Sequence, residues 1–298
     1  MKILISGASG LMGTRLASVL SEAGHTVGRL VRPGGKPAPG NVAWDPTSAK
    51  VDTAAMEGTD AFVHLSGASI GDGRWTPARK AILRSSRVDS TRVLVDALAR
   101  LARKPKVLVC ASATGYYGDR SDEILTESSE PGTDFLALLA RDWEGEATRA
   151  EHAGIRTVRL RYGVVLSGTG GALPRMTTPF KLGIGGRFGS GRQWMSWIAV
   201  DDAIEITRLA IMNDAFVGPI NVVAPDPVRN ADFVRALAKA LHRPAIFPAP
   251  AFALRLVVGE MADPLLLSSQ RVRPERLLSM RYAFRQTDLG TVLRSNLA

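Results

Sequence analysis

The chain has 298 residues, 45% hydrophobic and 22% charged, so it can bury a sizeable core without staples. One cysteine, Cys110, excludes an internal disulfide and any multi-cysteine metal centre, which points to a reducing, cytoplasmic setting. No apolar run reaches the roughly 18 residues of a membrane span, the short start Ile3–Ile5 does not read as a signal peptide, and the net charge of +10 is scattered without a basic block, which argues against a specific nucleic-acid or membrane partner.

In chain order, Lys2–Ser6 reads as a buried strand, Leu11–Ala23 as a helix stopped by Gly24, and Thr26–Val31 as a second strand. Ala61–Ser66 is a third strand. Thr76 suits an N-cap and Pro77 a first turn, so a helix starts there and runs, with a break, to about Arg103. Lys106–Ala111 is the next strand, Thr133–His152 a helix closed by Gly154, and Ile155–Leu160 again a strand. After Leu166 come glycine-rich loops at Gly168–Gly171 and Gly183–Gly191, a helix at Asp201–Met212 and a strand at Pro219–Val223. Helices follow at Asn230–His242, Ala251–Leu267 and Thr287–Ser295. Alternating strands and helices imply parallel pairing through right-handed crossovers. The expected fold is α/β: a Rossmann-type doubly wound parallel sheet over 1–165, with 199–223 returning to it. A smaller, mostly helical C-terminal cap occupies 166–298, helical from 230.

Gly7, Gly10 and Gly13 fall between the first strand and the first helix, in the spacing G-x-x-G-x-x-G. Glycines let a pyrophosphate approach the backbone, and the helix N-terminus supplies free N–H groups and a positive dipole end. Gly7, Ser9, Gly10, Leu11, Met12 and Gly13 are therefore the candidate dinucleotide-binding residues. A site for NAD usually has an acid at the end of the second strand. This chain has no Asp or Glu between Glu22 and Asp45, and carries Arg29 and Arg32 instead. A guanidinium at Arg32 can fork onto a 2′-phosphate, so NADP (NADPH) is expected over NAD.

The third strand runs into Leu65, Ser66, Gly67 and Ala68, small enough to let a cofactor lie across the strand ends. His64 lies inside the apolar run and reads as a packed core residue. The scattered histidines offer no metal-ligand spacing, so no metal is expected. Gly67-Ala68-Ser69-Ile70-Gly71 also matches the G-x-S-x-G nucleophile elbow of serine hydrolases, a remote alternative because the next helix starts only at Thr76.

The chain resembles the extended short-chain dehydrogenase/reductase superfamily of nucleotide-sugar epimerases and dehydratases, in particular an atypical branch with a C-terminal domain of unknown function. The resemblance rests on Gly7–Gly13, Leu65–Ala68, Arg74-Trp75, Ala111–Asp119, Trp143-Glu144 and Arg161–Leu166. It continues through Gly189–Gly191, Gln193-Trp194, Trp197-Ile198 and Pro274 with Arg276-Leu277-Leu278. It implies an NAD(P)-dependent epimerase, dehydratase or reductase. In such enzymes a serine polarises the substrate oxygen, a tyrosine is the general acid/base, and a lysine four residues later lowers its pKa. Ser112 matches the serine. The tyrosine and lysine positions fall at Leu136 and Ala140, and no Tyr or Lys occurs between Gly118 and Tyr162.

Tyr116 and Tyr117 are the candidate substitute acids, with Arg87 or Arg161 as the cation that a tyrosine needs to lower its pKa. Arg87, Ala111, Arg161 and Gly163 are further cofactor candidates. Gln193, Trp194 and Trp197, beside the Gly183–Gly191 loop, are the candidate substrate contacts. Relatives in this branch often read Trp-Ile-His where this chain has Trp197-Ile198-Ala199. The expected function is an NADP(H)-binding oxidoreductase or epimerase-like protein acting on a hydroxyl- or carbonyl-bearing small molecule, nucleotide sugars among them. Its alternative is a non-catalytic NADP(H) sensor, since some relatives are linked to cell or plastid division. Homodimerisation is left open.

Overall fold

The computed structural model describes residues 1–32, 34 and 40–297. Its centre is an eight-stranded sheet built from β1 (Lys2–Ser6), β2 (Thr26–Val31), β3 (Val42–Asp45), β4 (Lys50–Val51), β5 (Ala61–His64) and β6 (Val107–Ala113). After the short β7 (Ile124–Leu125) come β8 (Arg156–Tyr162) and, beyond β9 (Val164–Leu166), β10 (Trp194–Met195) and β11 (Trp197–Ala199), the edge strand β12 (Gly218–Val222). The spatial order is β12-β8-β6-β5-β1-β2-β3-β4, parallel throughout except for the terminal β3–β4 pair. The chain winds outward from β1 to β4, then restarts on the other side of β1 at β5. A crevice therefore opens at the carboxyl ends of β1 and β5, where ligands of doubly wound sheets sit.

The alternation of side chains assigns the two faces. Ile3, Ile5, Val63, Val107, Val109, Val158 and Leu160 point to one side and meet Leu16 and Leu20 of α1 (Leu11–Glu22) and, beyond α6 (Leu173–Lys181), Ile204 and Ile206 of α7 (Val200–Met212). Leu4, Phe62 and Leu108 point to the other and meet Leu94 and Leu98 of α4 (Ser90–Arg100). The helix expected from Thr76 starts at Pro77 as α3 (Pro77–Arg84), with Thr76 Oγ1 accepting from Arg79 N at 3.2 Å. The expected break is a π-turn over Ser85–Asp89. The helix expected over 133–152 is α5 (Phe135–Thr148), finished by a 3₁₀ turn and by Gly154 at φ 77°.

The cap gathers α6, α8 (Asn230–Leu241) and α11 (Leu289–Leu297) around Trp197, Phe233, Leu237 and Leu293. α6 lies between the two expected glycine-rich loops, in a segment where no element is expected. Pro174 in its first turn and Pro179 inside it disguise the buried stripe Leu173, Thr177, Phe180. The helix expected over 251–267 is α9 (Ala251–Val258), followed by 3₁₀ and π turns to Leu267. β14 (Arg271–Val272) then pairs with β7.

His64 is completely buried, as its apolar surroundings imply. Its Nδ1 lies 2.6 Å from Ser6 Oγ, and its ring meets Trp44 edge-on at 5.8 Å. Burial lowers its pKa to about 4. The unfolded chain binds a proton near pH 6.5 and the folded chain does not, so stability is lost as pH falls from 6.5 to 4. The loss should reach about 3 kcal/mol. Urea unfolding at pH 7 and pH 4 should show this increment in the native chain and not in a His64→Gln variant.

Candidate active site

The loop after β1 is shaped by close contacts. Gly7 has φ 69°, and a Cβ there would stand 2.7 Å from the Leu65 carbonyl carbon. A Cβ at Gly13 would stand 2.3 Å from Gly7 O, so a side chain at either position would push helix and loop apart. Gly10 N-caps α1 without any side-chain hydrogen bond, and the first turn holds no acid. The N–H groups of Leu11, Met12 and Gly13 thus open the helix at the crevice with no carboxylate competing for them. Ser9 beside them is exposed, and Leu65 and Ser66 pass within van der Waals reach of Gly7. These residues fit a dinucleotide pyrophosphate. Arg32 directly follows β2, exposed, and forms no ion pair among the described residues. Among those residues no cluster of His, Cys, Asp or Glu suits a metal ion.

The π-turn of Ser85–Asp89 places two side chains on the loop after β5. Ser86 Oγ accepts from Ala68 N at 3.0 Å, and the Arg87 guanidinium lies against Gly67, where a Cβ would be 3.0 Å from Cζ. Arg87 is half-buried over the Trp143 ring, and no carboxylate pairs with it among the described residues. Burial, with repulsion from Arg79, lowers its pKa to about 10. A desolvated guanidinium without a counter-ion is suited to an anionic ligand. Arg79 also reaches this loop, donating to the Ser69 carbonyl, and its buried Nε has no partner.

The carboxyl ends of β6 and β8 hold a different arrangement, and it corrects several expectations. Arg161, 3% exposed, is not turned to a cofactor. Its Nε and Nη2 donate to the two oxygens of Glu144 at 2.7 and 2.8 Å, and its Nη1 donates to Tyr117 Oη at 2.9 Å. Burial opposes the charge, but Glu144 overcomes it and holds the guanidinium protonated above its usual range. Tyr117 is fully buried, with Oη donating to Asn221 Oδ1 at 2.7 Å, and burial pushes its pKa up to about 12. A phenol so placed cannot reach a substrate in the crevice.

Ser112, 4% exposed, donates to Glu144 Oε1 at 2.6 Å, so its hydroxyl is engaged by the protein rather than presented. Tyr116 is half-buried with the Arg161 guanidinium 3.5 Å from its ring centre. Gly163 is explained by packing, since a Cβ would stand 2.5 Å from Ser196 O. The signal that sequence reasoning passed over is Glu144. It stands on α5 four residues after Ala140, so Leu136, Ala140 and Glu144 share one helix face.

Of the expected substrate contacts, Trp197 is 1% exposed and packs in the cap core. Gln193 is buried, its Nε2 donating to the carbonyls of Phe188 and Leu266. Trp194 donates to Asp122 at 2.7 Å and has the guanidinium groups of Arg229 and Arg271 over its ring, beside a cavity of about 100 Å³. The first two are structural, and the third is already stacked by the protein. The nucleophile-elbow alternative also fails. Ser69 lies in an open loop, twelve residues separate β5 from α3, and the neighbouring histidine, His64, is buried on Ser6.

Where Tyr and Lys are missing, the crevice wall is apolar. Phe135 and Leu136 pack with Ala68, Ile70, Trp75, Ala111, Val258 and Met261, and Leu136 Cβ lies 3.4 Å from where a Gly115 Cβ would be. The buried network yields a stability prediction. Tyr117→Phe should lower the unfolding free energy by about 1–3 kcal/mol by stranding Asn221. Glu144→Ala should cost about 3–5 kcal/mol by stranding Arg161. Denaturant titration measures both, and a Tyr117→Phe variant of unchanged stability contradicts the structural role.

The model of the NAD-dependent epimerase/dehydratase family matches residues 3–223, and that of a domain of unknown function, DUF1731, matches 249–295. The chain is 41% identical over 294 residues to the epimerase family protein MT2273 of Mycobacterium tuberculosis (strain CDC 1551 / Oshkosh), covering 98% of this chain and 96% of that one. It is similar to the crystal structure of human epimerase family protein SDR39U1 (isoform 2) with NADPH, at TM-score 0.89 and 32% identity over 99% of both chains. It also superposes, at TM-score 0.83 and 39% identity, on a nucleoside-diphosphate sugar epimerase from Corynebacterium glutamicum; all of this chain is covered but only 58% of that longer one. With its strand order, its glycine loop and a family match over most of its length, the chain belongs to the NAD-dependent epimerase/dehydratase family.

Proposed function

We propose that the protein is an NADP(H)-dependent oxidoreductase or epimerase-like enzyme acting on a small molecule that bears a hydroxyl or carbonyl group. The observation that carries this reading is the acid-free N-terminus of α1 at Gly10, which no side chain caps, together with Arg32 after β2 and Arg87 against Gly67, neither paired with a carboxylate among the described residues. Gly7–Gly13 would hold the pyrophosphate, Arg32 the 2′-phosphate, and Leu65–Ala68 with Ala111 the floor under the ribose and nicotinamide. The NADPH bound in the human SDR39U1 structure supports this cofactor. A bound nicotinamide supplies the hydride chemistry.

The chain's own residues then have to handle a proton. Leu136 and Ala140 offer no acid, and the hydroxyl closest in role is Ser112, which takes part only by turning its proton from Glu144 to the substrate oxygen. Hydrophobic groups at Phe135, Leu136, Trp75 and Met261 exclude water from the reacting centre and favour a substrate with an apolar portion beside its polar carbon. Nucleotide sugars remain candidate substrates, on the strength of the sugar epimerase likeness.

A second reading, a non-catalytic NADP(H)-binding sensor, is favoured by the apolar Leu136–Ala140 stripe and by the burial of Tyr117.

Two experiments test these readings. NADPH at a hundred times its dissociation constant should stabilise the fold by roughly 2.7 kcal/mol. NADH at equal concentration should stabilise it less, and Arg32→Ala should weaken NADPH alone, by about 1.5–3 kcal/mol. Equal stabilisation by both cofactors contradicts the Arg32 assignment. NADPH-loaded protein should then reduce at least one member of a panel of carbonyl compounds, or NADP+-loaded protein should oxidise at least one of a panel of nucleotide sugars, with turnover lost in Ser112→Ala. Tight binding with no turnover across the panel selects the sensor.

A further inference from the structure

α3 and the π-turn behind it bring two guanidinium groups onto one loop. Arg79 Nη2 donates to the Ser69 carbonyl, and its Nε is buried with no hydrogen-bond partner. Arg87 lies against Gly67, its Cζ 5.4 Å from the Trp143 ring centre. Its Nη1 has only long contacts, to Leu83 O at 3.4 Å and Ser86 Oγ at 3.5 Å. The two cations repel one another, and neither pairs with a carboxylate among the described residues. Asp72, whose charge feels Arg79, pairs instead with Arg175 at 2.5 Å, and the neighbouring Lys80 is taken by Glu260. Like charges gathered in a half-buried place cost free energy until an anion joins them.

The anionic groups of a dinucleotide have their own partners in this crevice. The N-terminus of α1 suits the pyrophosphate and Arg32 the 2′-phosphate. The Gly67–Ser69 loop leaves the carboxyl end of β5, and β5 lies beside β6, which carries Ser112. Arg79 and Arg87 are thus left for an anion that arrives with the substrate.

We propose that Arg79 and Arg87 bind a substrate carboxylate, and that the substrate class is a ketone bearing that carboxylate and an apolar side chain. This rests on the reading of the crevice as an NADP(H)-dependent active site. A carboxylate offers two coplanar oxygens, each able to accept from a guanidinium fork. The apolar portion has its place next to them. Trp143, under Arg87, belongs to the same cluster as Ala68, Ile70, Trp75, Phe135, Leu136 and Met261. The one nitrogen among those six side chains, Trp75 Nε1, already donates to Ile70 O at 3.0 Å. Sugar hydroxyls set against this wall would lose their hydrogen bonds to water and gain none, whereas an alkyl or aromatic group loses nothing.

Calorimetric titration of the NADP+-loaded full chain with phenylpyruvate and with phenylacetone, in which a methyl replaces the carboxylate, is the test. NADP+ cannot reduce a ketone, so binding is read apart from turnover. Phenylpyruvate should bind about tenfold or more tightly than phenylacetone. Arg79→Gln should abolish that preference and leave the affinity for NADPH unchanged. It should not lower the thermal midpoint, because it removes a like-charged neighbour of Arg87. With NADPH as reductant the same preference should appear in kcat/KM, the carbonyl carbon gaining a hydride and its oxygen a proton, with alcohol and NADP+ as products. Equal binding of the two ketones overturns the proposal and leaves the NADP(H) reading standing. Carboxylate-selective, Arg79-dependent binding with no turnover upholds the carboxylate site and counts against catalysis. An Arg79→Gln variant that loses NADPH affinity instead overturns the proposal, as does an Arg79-dependent affinity for UDP-glucose above that for phenylpyruvate.

Discussion

A guanidinium taken out of water must find its counter-charge inside the protein, and the pairing of Arg161 with Glu144 is where this fold meets that demand. The two oxygens of Glu144 take two arms of the fork, and Tyr117 takes the third. Through that one group β8 is fastened to α5, to the turn after β6 and, by way of Asn221, to the edge strand β12. Glu127 extends the chain of bonds by accepting from Asn221 N. Each member is buried and each has a partner, the condition under which a polar network specifies one arrangement of its surroundings.

That network explains why a family motif can be present in sequence and differently employed in space. Ser112 and Tyr117 occupy a segment that matches the family's active strand, yet their hydroxyls are spent on Glu144 and Asn221. With no lysine at Ala140 to hold a ribose or lower a phenol's pKa, the carboxylate one turn further along α5 became the organising group instead. The crevice above it is left to carbon side chains. Whatever chemistry occurs there relies on the bound cofactor and on exclusion of water more than on a side-chain acid.

Much of the fold was legible because its signals are local. The apolar runs of β1, β2 and β8, the Gly154 stop and the Thr76-Pro77 start each depend on a few neighbouring residues. The glycine loop was legible for the same reason, since the strand before it and the helix after it are strong on their own. The strand at 42–45 escaped because it is short, and those at 194–199 because they are short and paired with 228–229 and 164–166, distant in sequence. α6 escaped because its prolines read as breaks. Among the site residues, Arg161, Trp197 and Gln193 were of the right chemical kind for a ligand, but burial is decided by tertiary packing, which residue type alone does not reveal. Glu144 was visible as part of Trp143-Glu144. Its role was not, because an acid becomes the hub of a core only once an arginine 17 residues away, about 56 Å of extended chain at roughly 3.3 Å per residue, folds onto it, and such a span carries no pattern in sequence.

The π-turn at Ser85–Asp89 acts on the phase of a helix. Each residue of an α-helix advances it by about 100°, so one surplus residue in a turn rotates everything beyond it by that angle. Leu83 and Val88 face the cluster around Trp75 and Trp143, whereas Leu94 and Leu98 face the sheet beneath β5 and β6. A single straight helix could not satisfy both directions. The bulge is thus a gearing element, letting one continuous rod mesh with two cores. A one-residue deletion here would be equivalent to turning a shaft, carrying Arg79 away from the crevice while α4 stayed seated.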